Sequence, residues 1–573
     1  MKLTGAQIVC EALVREGVEV VFGFPGGTVL PLYDTLPQYP QLRHILVRHE
    51  QGAAHAADGY ARATGRVGVC FATSGPGATN LVTGIACAHL DSSPLIAITG
   101  QVARPFIGKD AFQEVDTTGI TLPITKHNYL VLDVKGLART IKQAFFLART
   151  GRPGPVLLDI PRDVFTEETE FSYPERAVPR GYKAILAGHP TQIKRAAQLI
   201  NSASQPLILV GRGVNISGAH EELQELAEKA QIPVASTLLG TGAFPQNHIL
   251  SLGMMGMHGT AAANMAVGQA DVLIAVGMRF DDRATAKVSA FAPLAQVIHI
   301  DIDPAEISKN VPAHVPIVGD CRLVLKGLNK AVQTRTRPDW IAQVQHWQQE
   351  HPDTSIPDGE NLLPQYVIHS IYEATQGRTI IVTGVGQNQM WAARYFRYTR
   401  PNSLISSGGL GAMGFELPAA LGAKIGCPEE TVWCVAGDGG FQMTIQELGT
   451  IAQERAAVKM AIINNGFLGM VRQWQELFYS RRYVATPLWN PNFVKIGEAY
   501  GIPSERVTQR NQVLPAIYRA MESPGPYLID FMVEPEENVY PMVPPGKSLS
   551  EFIEGPLPDA RATPATTLTV SNI

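Results

Sequence analysis

A short apolar run, Val432-Trp-Cys-Val435, leads into Gly437-Asp438-Gly439. After 24 further residues (440–463), which close on a second run at Lys459–Ile463, comes Asn464-Asn465. That interval suits a helix that carries the chain back to the same sheet edge, so the segment is predicted to be a strand–helix–strand unit with a right-handed crossover. Parallel strands joined in this way are buried on both faces, and they commit the surrounding block to a doubly wound α/β sheet. The unit puts Asp438 and Asn465 at the carboxyl ends of two nearby parallel strands, where open α/β sheets bind ligands. Within it, Thr444 and Glu447 have the T-x-x-E spacing of a capping box and predict a helix through Ile451.

The same alternation recurs along the chain. A length of 573 residues exceeds what one core supports and implies three or four domains. Strands are expected at Val18–Phe22, Val67–Phe71, Leu95–Ile98 and Val156–Ile160, then at Pro206–Val210, Val272–Val276 and Val297–Ile302. A third group is expected at Thr379–Val382, Thr431–Val435, Lys459–Ile463 and Tyr527–Met532. The fold class is therefore α/β, with three doubly wound parallel-sheet domains at residues 1–165, 190–332 and 362–550. A charged, proline-rich stretch from Thr166 to Pro190 reads as a linker. A polar one from Gln333 to Asn361 reads as a second linker holding one exposed helix, Trp340 to Glu350. Pro556 to Ile573 reads as a frayed tail. The first and third blocks resemble each other in style, as diverged duplicates would.

Composition excludes several classes. A net charge of −4 without a basic block argues against nucleic acid. No run of about 18 uncharged apolar residues occurs, so no membrane helix is expected. Glu11 and Glu16 interrupt the N-terminal segment, which does not read as a signal peptide. Thr4 and Gln7 predict a capping box there. The six cysteines form no CxxC pair and read as reduced, in a cytoplasmic protein.

Magnesium takes hard oxygen ligands and usually only one or two carboxylates, completing its shell with water and phosphate oxygens. Asp438, the Asn465 amide and a backbone carbonyl near Phe467 would leave room for two phosphate oxygens and a water. Far upstream, Arg48-His49-Glu50-Gln51-Gly52 precedes a run of small residues and offers one carboxylate that could tune a bound ring. Each segment has a bland reading: a tight turn, a strand-end turn, a surface glutamate at a helix start. Read together they suggest thiamine diphosphate.

GDG-x24-NN resembles the signature of thiamine diphosphate enzymes. Gly408-Gly-Leu-Gly-Ala-Met413-Gly and Gly469-Met-Val-Arg-Gln-Trp474-Gln narrow the resemblance to the catalytic subunit of the acetohydroxyacid (acetolactate) synthase family. Phe24-Pro-Gly-Gly27, Thr73-Ser-Gly-Pro-Gly77, Asp110-Ala-Phe-Gln-Glu114, Arg279-Phe-Asp-Asp-Arg283 and Asn538-Val-Tyr-Pro-Met-Val-Pro-Pro-Gly546 extend it over nearly the whole chain.

The resemblance implies roles. Glu50 would hydrogen-bond the cofactor's aminopyrimidine; a glutamate in an apolar, close-packed site suits such proton sharing. Asp438, Asn465 and Phe467 would hold magnesium. Gln387 and Gly439 would contact the diphosphate, and Met413 would keep the cofactor bent. Gln113, with Phe112 and Gln101, would line the way in, while Trp474 and Arg283 would favour the second keto acid. The GxG at Gly211–Gly213 lacks the third glycine of a dinucleotide fingerprint and is weak alone. By resemblance, Arg152, Arg212, His258, Arg279, Arg283, Asp301 and Asp320 would hold an FAD without redox work.

The implied reaction decarboxylates pyruvate and joins the two-carbon unit to pyruvate or 2-oxobutyrate. The products, 2-acetolactate or 2-aceto-2-hydroxybutyrate, feed branched-chain amino acid synthesis. The implied assembly is a homodimer or homotetramer in which Glu50 and Asp438 of one site come from different subunits, with a small regulatory subunit. Gly384, Asn388 and Glu416 depart from the resembled pattern, and Glu416 adds a carboxyl near an anionic ligand. Alternatives are a related 2-keto acid decarboxylase, a pyruvate oxidase, or a non-catalytic nucleotide-binding regulatory protein.

Overall fold

Pro206–Val210, Val272–Val276 and Tyr527–Met532 form strands at the bounds their apolar runs set. These strands sit inside sheets with neighbours on both sides, where aliphatic side chains are buried on both faces. The computed structural model describes residues 1–352 and 354–556. Among them are three six-stranded sheets whose ladders are all parallel.

The first sheet has the spatial order Arg43–Leu46, Val20–Gly23, Gly68–Ala72, Leu95–Gln101, Pro155–Pro161, His127–Leu130. The third has the order Leu404–Ser406, Ile380–Thr383, Val432–Gly437, Val458–Asn464, Tyr527–Met532, Ser504–Val507. Numbered along the chain within each domain, both read 2-1-3-4-6-5. This is the duplication that the sequence suggested only in style. The middle sheet reads 3-2-1-4-5-6, from Ser251–Met254 through Val234–Ser236, Pro206–Val210, Val272–Val276 and Gln296–Asp301 to Val315–Val318. That is the order of dinucleotide-binding folds, with its switch point between Pro206–Val210 and Val272–Val276.

The first and third domains meet helix on helix. Glu50–Thr64 packs along Glu416–Gly426. A Cβ at Gly59 would strike the Ala419 carbonyl, and one at Gly422 the Ala56 carbonyl, so the two backbones approach as closely as glycine allows. Beside this seam Arg62 is buried. Its Nε lies 2.7 Å from Asp58, its Nη2 lies 2.8 Å from Asp91, and its Nη1 donates to the Ser406 carbonyl of the third domain at 2.6 Å. Removing one member of such a buried cluster strands the others, at a cost of about 3–5 kcal/mol.

Four local expectations are corrected. The Thr444–Glu447 capping box does not form. A helix already starts at Asp438, Thr444 has φ −132° and donates to the Gly414 carbonyl, and Glu447 turns toward Arg48 instead. The helix in the second linker, Pro338–Glu350, is not exposed: Trp340, Val344 and Trp347 are buried, and the Trp340 indole donates to the Pro206 carbonyl at 2.9 Å. The first linker opens with a strand, Glu168–Glu170, paired antiparallel with Lys2–Thr4. Seven further strands of the six-stranded sheets, six of them at sheet edges, lie outside the expected ones. The Thr4–Gln7 capping box is present, and all six cysteines are free. No helix among the described residues is long and apolar enough to cross a membrane. The expected frayed tail, beyond Pro556, lies outside the described residues.

Candidate active site

The third sheet has its switch point between Ile380–Thr383 and Val432–Gly437. Gly437 pairs with Ile463 on the adjacent strand, so Asp438 and Asn465 leave the sheet at the same edge. Asp438 is buried, with Oδ2 accepting from the Gly466 amide at 2.9 Å and from Asn490 Nδ2 at 2.6 Å. Burial pushes its carboxyl up to about 6, while those donors and the Gly439 amide hold it down. No cationic side chain pairs with it among the described residues. A buried carboxylate beside an amide oxygen is a hard, low-charge donor set that fits magnesium with phosphate and water. Asn465 Oδ1 accepts the Phe467 amide at 3.1 Å, and its Nδ2 donates to Gln387 Oε1 at 3.1 Å. Gln387 Nε2 in turn donates to Gln473 Oε1 and to the Glu537 carbonyl, each at 2.9 Å.

Gln387 opens the helix Gln387–Tyr395 just after Gly386, whose φ of 127° and ψ of −150° suit glycine alone. The structure thus brings Asp438, Asn465, Phe467, Gln387 and Gly439 together at one sheet edge. Met413 joins them, its Cε 3.5 Å from the point where a Gly439 Cβ would lie.

Glu50 belongs to the first domain. It starts the helix Glu50–Thr64, capped by His49 Nδ1, which accepts the Gln51 amide at 3.1 Å. Its side chain is 8% exposed and accepts from Asn80 Nδ2 at 2.9 Å, beside Gly77 and Thr73 of the TSGPG turn. Glu50 and Asp438 share no hydrogen bond within the chain. Gln113 rests on this turn, with φ +59° and its backbone packed against Gly75, while Phe112 next to it is 89% exposed. Gln101 is buried and donates to Asp159 Oδ2 at 3.0 Å and to the Val115 carbonyl at 2.8 Å, so it anchors that loop from beneath.

The seven residues expected around a flavin, Arg152, Arg212, His258, Arg279, Arg283, Asp301 and Asp320, line one cavity of about 1150 Å³, together with Trp474 and Gly386. It lies at the switch point of the middle sheet. There Gly211 and Gly213 close on Gly277 too tightly for any side chain. Arg212 is half-buried, with its buried Nε unpartnered and Nη2 on Ser93 Oγ at 3.1 Å; desolvation and Arg62 push it down to about 10. His258 Nδ1 is also unpartnered, and burial with Arg394 and Arg283 nearby lowers the ring to about 3. Burial raises Asp301 to about 6. Arg152 is held by Asp303 and Glu306 at 3.2 and 2.8 Å. Asp320 caps the helix Cys321–Ala331 through the Leu323 amide. Arg283 lies over the Trp474 ring, 5.9 Å from its centroid.

Three family descriptions match in order: "Thiamine pyrophosphate enzyme, N-terminal TPP binding domain" over residues 3–120, the central domain over 193–328, and the C-terminal TPP binding domain over 384–531. Acetolactate synthase of Mycobacterium bovis is 51% identical over 564 residues, covering 96% of this chain and 91% of that protein. The large subunit from Corynebacterium glutamicum is 50% identical over 563 residues (96% and 90%), and that from Porphyra purpurea 48% over 565 (96% and 95%). The chain belongs to the acetolactate synthase family of thiamine diphosphate enzymes.

Two residues of this acetolactate synthase family member escaped the sequence reading. Asn490 bridges Asp438, Asn464 and Gln442 from a loop with no periodicity to flag it. Glu447 accepts the Arg48 amide, a contact between residues 399 apart that no local pattern signals.

Proposed function

We propose that the protein is the catalytic subunit of an acetolactate synthase, decarboxylating pyruvate and ligating the two-carbon unit to pyruvate or 2-oxobutyrate for branched-chain amino acid synthesis in the cytoplasm. Bound thiamine diphosphate would supply the thiazolium that takes up the electrons left when a 2-keto acid loses carbon dioxide. The observation that carries the reading is the convergence of Asp438, Asn465 and Gln387 at the switch point of the third sheet.

In this reading Asp438, the Asn465 amide and the Phe467 carbonyl hold magnesium, and Gln387 and Gly439 face the diphosphate. Met413 packs beside Gly439 and would help hold the cofactor there. Glu50, buried and accepting a single hydrogen bond from Asn80, has an oxygen left to share a proton with the aminopyrimidine. Gln113 and Phe112 line the way in. Arg283 and Trp474 offer a guanidinium and an aromatic face to the second keto acid, a carboxylate grip that arginine suits.

Arg152, Arg212, His258, Arg279, Asp301 and Asp320 hold FAD as a structural group, because the reaction has no net oxidation. The buried, unpartnered Nε of Arg212 supports an anionic ligand there. The assembly is a homodimer or homotetramer with a small regulatory subunit, each site pairing Glu50 of one chain with Asp438 of another.

Incubating purified protein with pyruvate, thiamine diphosphate, magnesium and FAD tests the reading. Acetolactate is expected. Acetaldehyde or acetyl phosphate as the product would overturn it.

A further inference from the structure

Glu416 has the only carboxyl among the described residues with both oxygens buried and without a hydrogen-bond partner. It stands in the first turn of the helix Glu416–Gly426, whose start has no side-chain cap. Its carboxyl carbon lies 2.8 Å from the point where a Cβ at Gly384 would sit, and its Oε1 crowds the corresponding point at Gly440. Asn388 Nδ2 is 3.0 Å from that same point at Gly384, and Asn388 Oδ1 is 3.3 Å from the one at Gly437. The three positions that depart from the resembled pattern therefore meet in one place. That place lies at the two strand ends flanking the switch point, against Gly437 and Gly440 on either side of Asp438 and Gly439.

We propose that Glu416 is a proton-linked member of the diphosphate site, taking up a proton from solvent as the diphosphate enters, so that pH sets this chain's affinity for the cofactor. The inference rests on the diphosphate reading above. Two anions cannot stay charged side by side in a buried volume without large cost, and the one lacking donors is the one that yields. Asp438 accepts three hydrogen bonds; Glu416 accepts none of good geometry and is held down only by the nearby amides of Glu416 and Gly414. Asn388 Nδ2, the amide atom that shares the Gly384 point with the Glu416 carboxyl, is taken up by the Val435 carbonyl at 3.0 Å.

The surrounding groups leave Glu416 as the responder. Cys434 on the adjoining strand is pushed far up and stays a thiol. On the helix Glu50–Thr64, His55 lies against the Phe415 ring and is lowered to about 4, while Asp58 is tied to Arg62. Glu447 has its own donors. Burial raises Glu416 to about 7, with the amides of Glu416 and Gly414 holding it partly down.

Calorimetric titration of the full-length protein with magnesium thiamine diphosphate at pH 8, in two buffers of different ionisation enthalpy, counts the protons. Wild type should take up more than Glu416→Gln, by up to about one proton. Above pH 7 its Kd should weaken relative to the variant's, by up to about tenfold per pH unit. Asp438 and the diphosphate itself titrate in both proteins and cancel. Glu416→Ala, judged folded by circular dichroism, should lose the same uptake. Equal proton counts with parallel pH profiles would overturn the proposal, as would wild-type uptake near zero. Absence of binding by any of these proteins would overturn the diphosphate site itself.

Discussion

Glu447 accepts the backbone amide of Arg48 at both carboxylate oxygens, 3.1 and 3.2 Å away, and the Thr450 hydroxyl at 2.7 Å. Arg48 lies two residues before Glu50. An anion from the third domain thus accepts the amide just before His49, the N-cap residue of the helix that carries the candidate ring-facing acid, where a negative charge is favoured by the helix dipole. Gly52 leaves it room, since a Cβ there would strike the Glu447 carboxylate. Within one chain, the segment that begins at Asp438 and the segment that bears Glu50 are mechanically one piece.

Glu447→Ala should remove the hydrogen bond that its carboxylate accepts from the Arg48 amide and cost about 1.5–3 kcal/mol, as loss of a hydrogen bond to a charged group does. Gly52→Ala should destabilise through the clash, and the double variant should be more stable than Gly52→Ala alone. Thermal unfolding midpoints of the three variants check this. Additive effects would mean that the two side chains do not meet.

Asn490→Ala should weaken magnesium-dependent retention of thiamine diphosphate by about tenfold or more, because Asn490 orients Asp438 from behind. Asp438→Ala should abolish that retention. Equilibrium dialysis with and without magnesium measures both.

Arg212→Ala should release FAD, read as loss of flavin absorbance after gel filtration. Magnesium-dependent binding of thiamine diphosphate should survive, because Arg212 lies at the middle sheet's switch point and not the third's.

Legibility followed burial. Central strands such as Pro206–Val210 were readable because residues buried on both faces form unbroken apolar runs. Arg43–Leu46, His127–Leu130, Leu404–Ser406 and Ser504–Val507 lie at sheet edges, mix polar with apolar residues, and were missed. The Asp438–Asn465 pair was readable because a crossover fixes its spacing. The T-x-x-E pattern misled because Glu447 has a distant partner that outcompetes the local one. Trp340 and Trp347 looked exposed because they sit in a polar stretch, yet they pack edge to face, 5.8 Å apart, on the middle domain's core.

Asp159 gives a pH signature. Burial raises it to about 7, although Thr99 and Gln101 donate to it. The unfolded chain ionises it near pH 4, so between there and about pH 7 the folded state loses stability relative to the unfolded, by up to about 1.4 kcal/mol per pH unit. Asp159→Asn lacks this loss. The difference in thermal midpoint, variant minus wild type, should rise from pH 4 to 7 and be level above 7. A flat difference throughout would mean that Asp159 is ionised in the fold at all these pH values.

The central claim is a site shared between chains, and mixing two inactive variants tests it most directly. Glu50→Gln and Asp438→Ala each damage every site alone. Refolded or co-expressed together, they should form mixed dimers with one doubly damaged site and one intact site, restoring acetolactate production to on the order of a quarter of wild type. If Glu50 and Asp438 of one chain served the same site, every site would carry one lesion and the mixture would stay inactive.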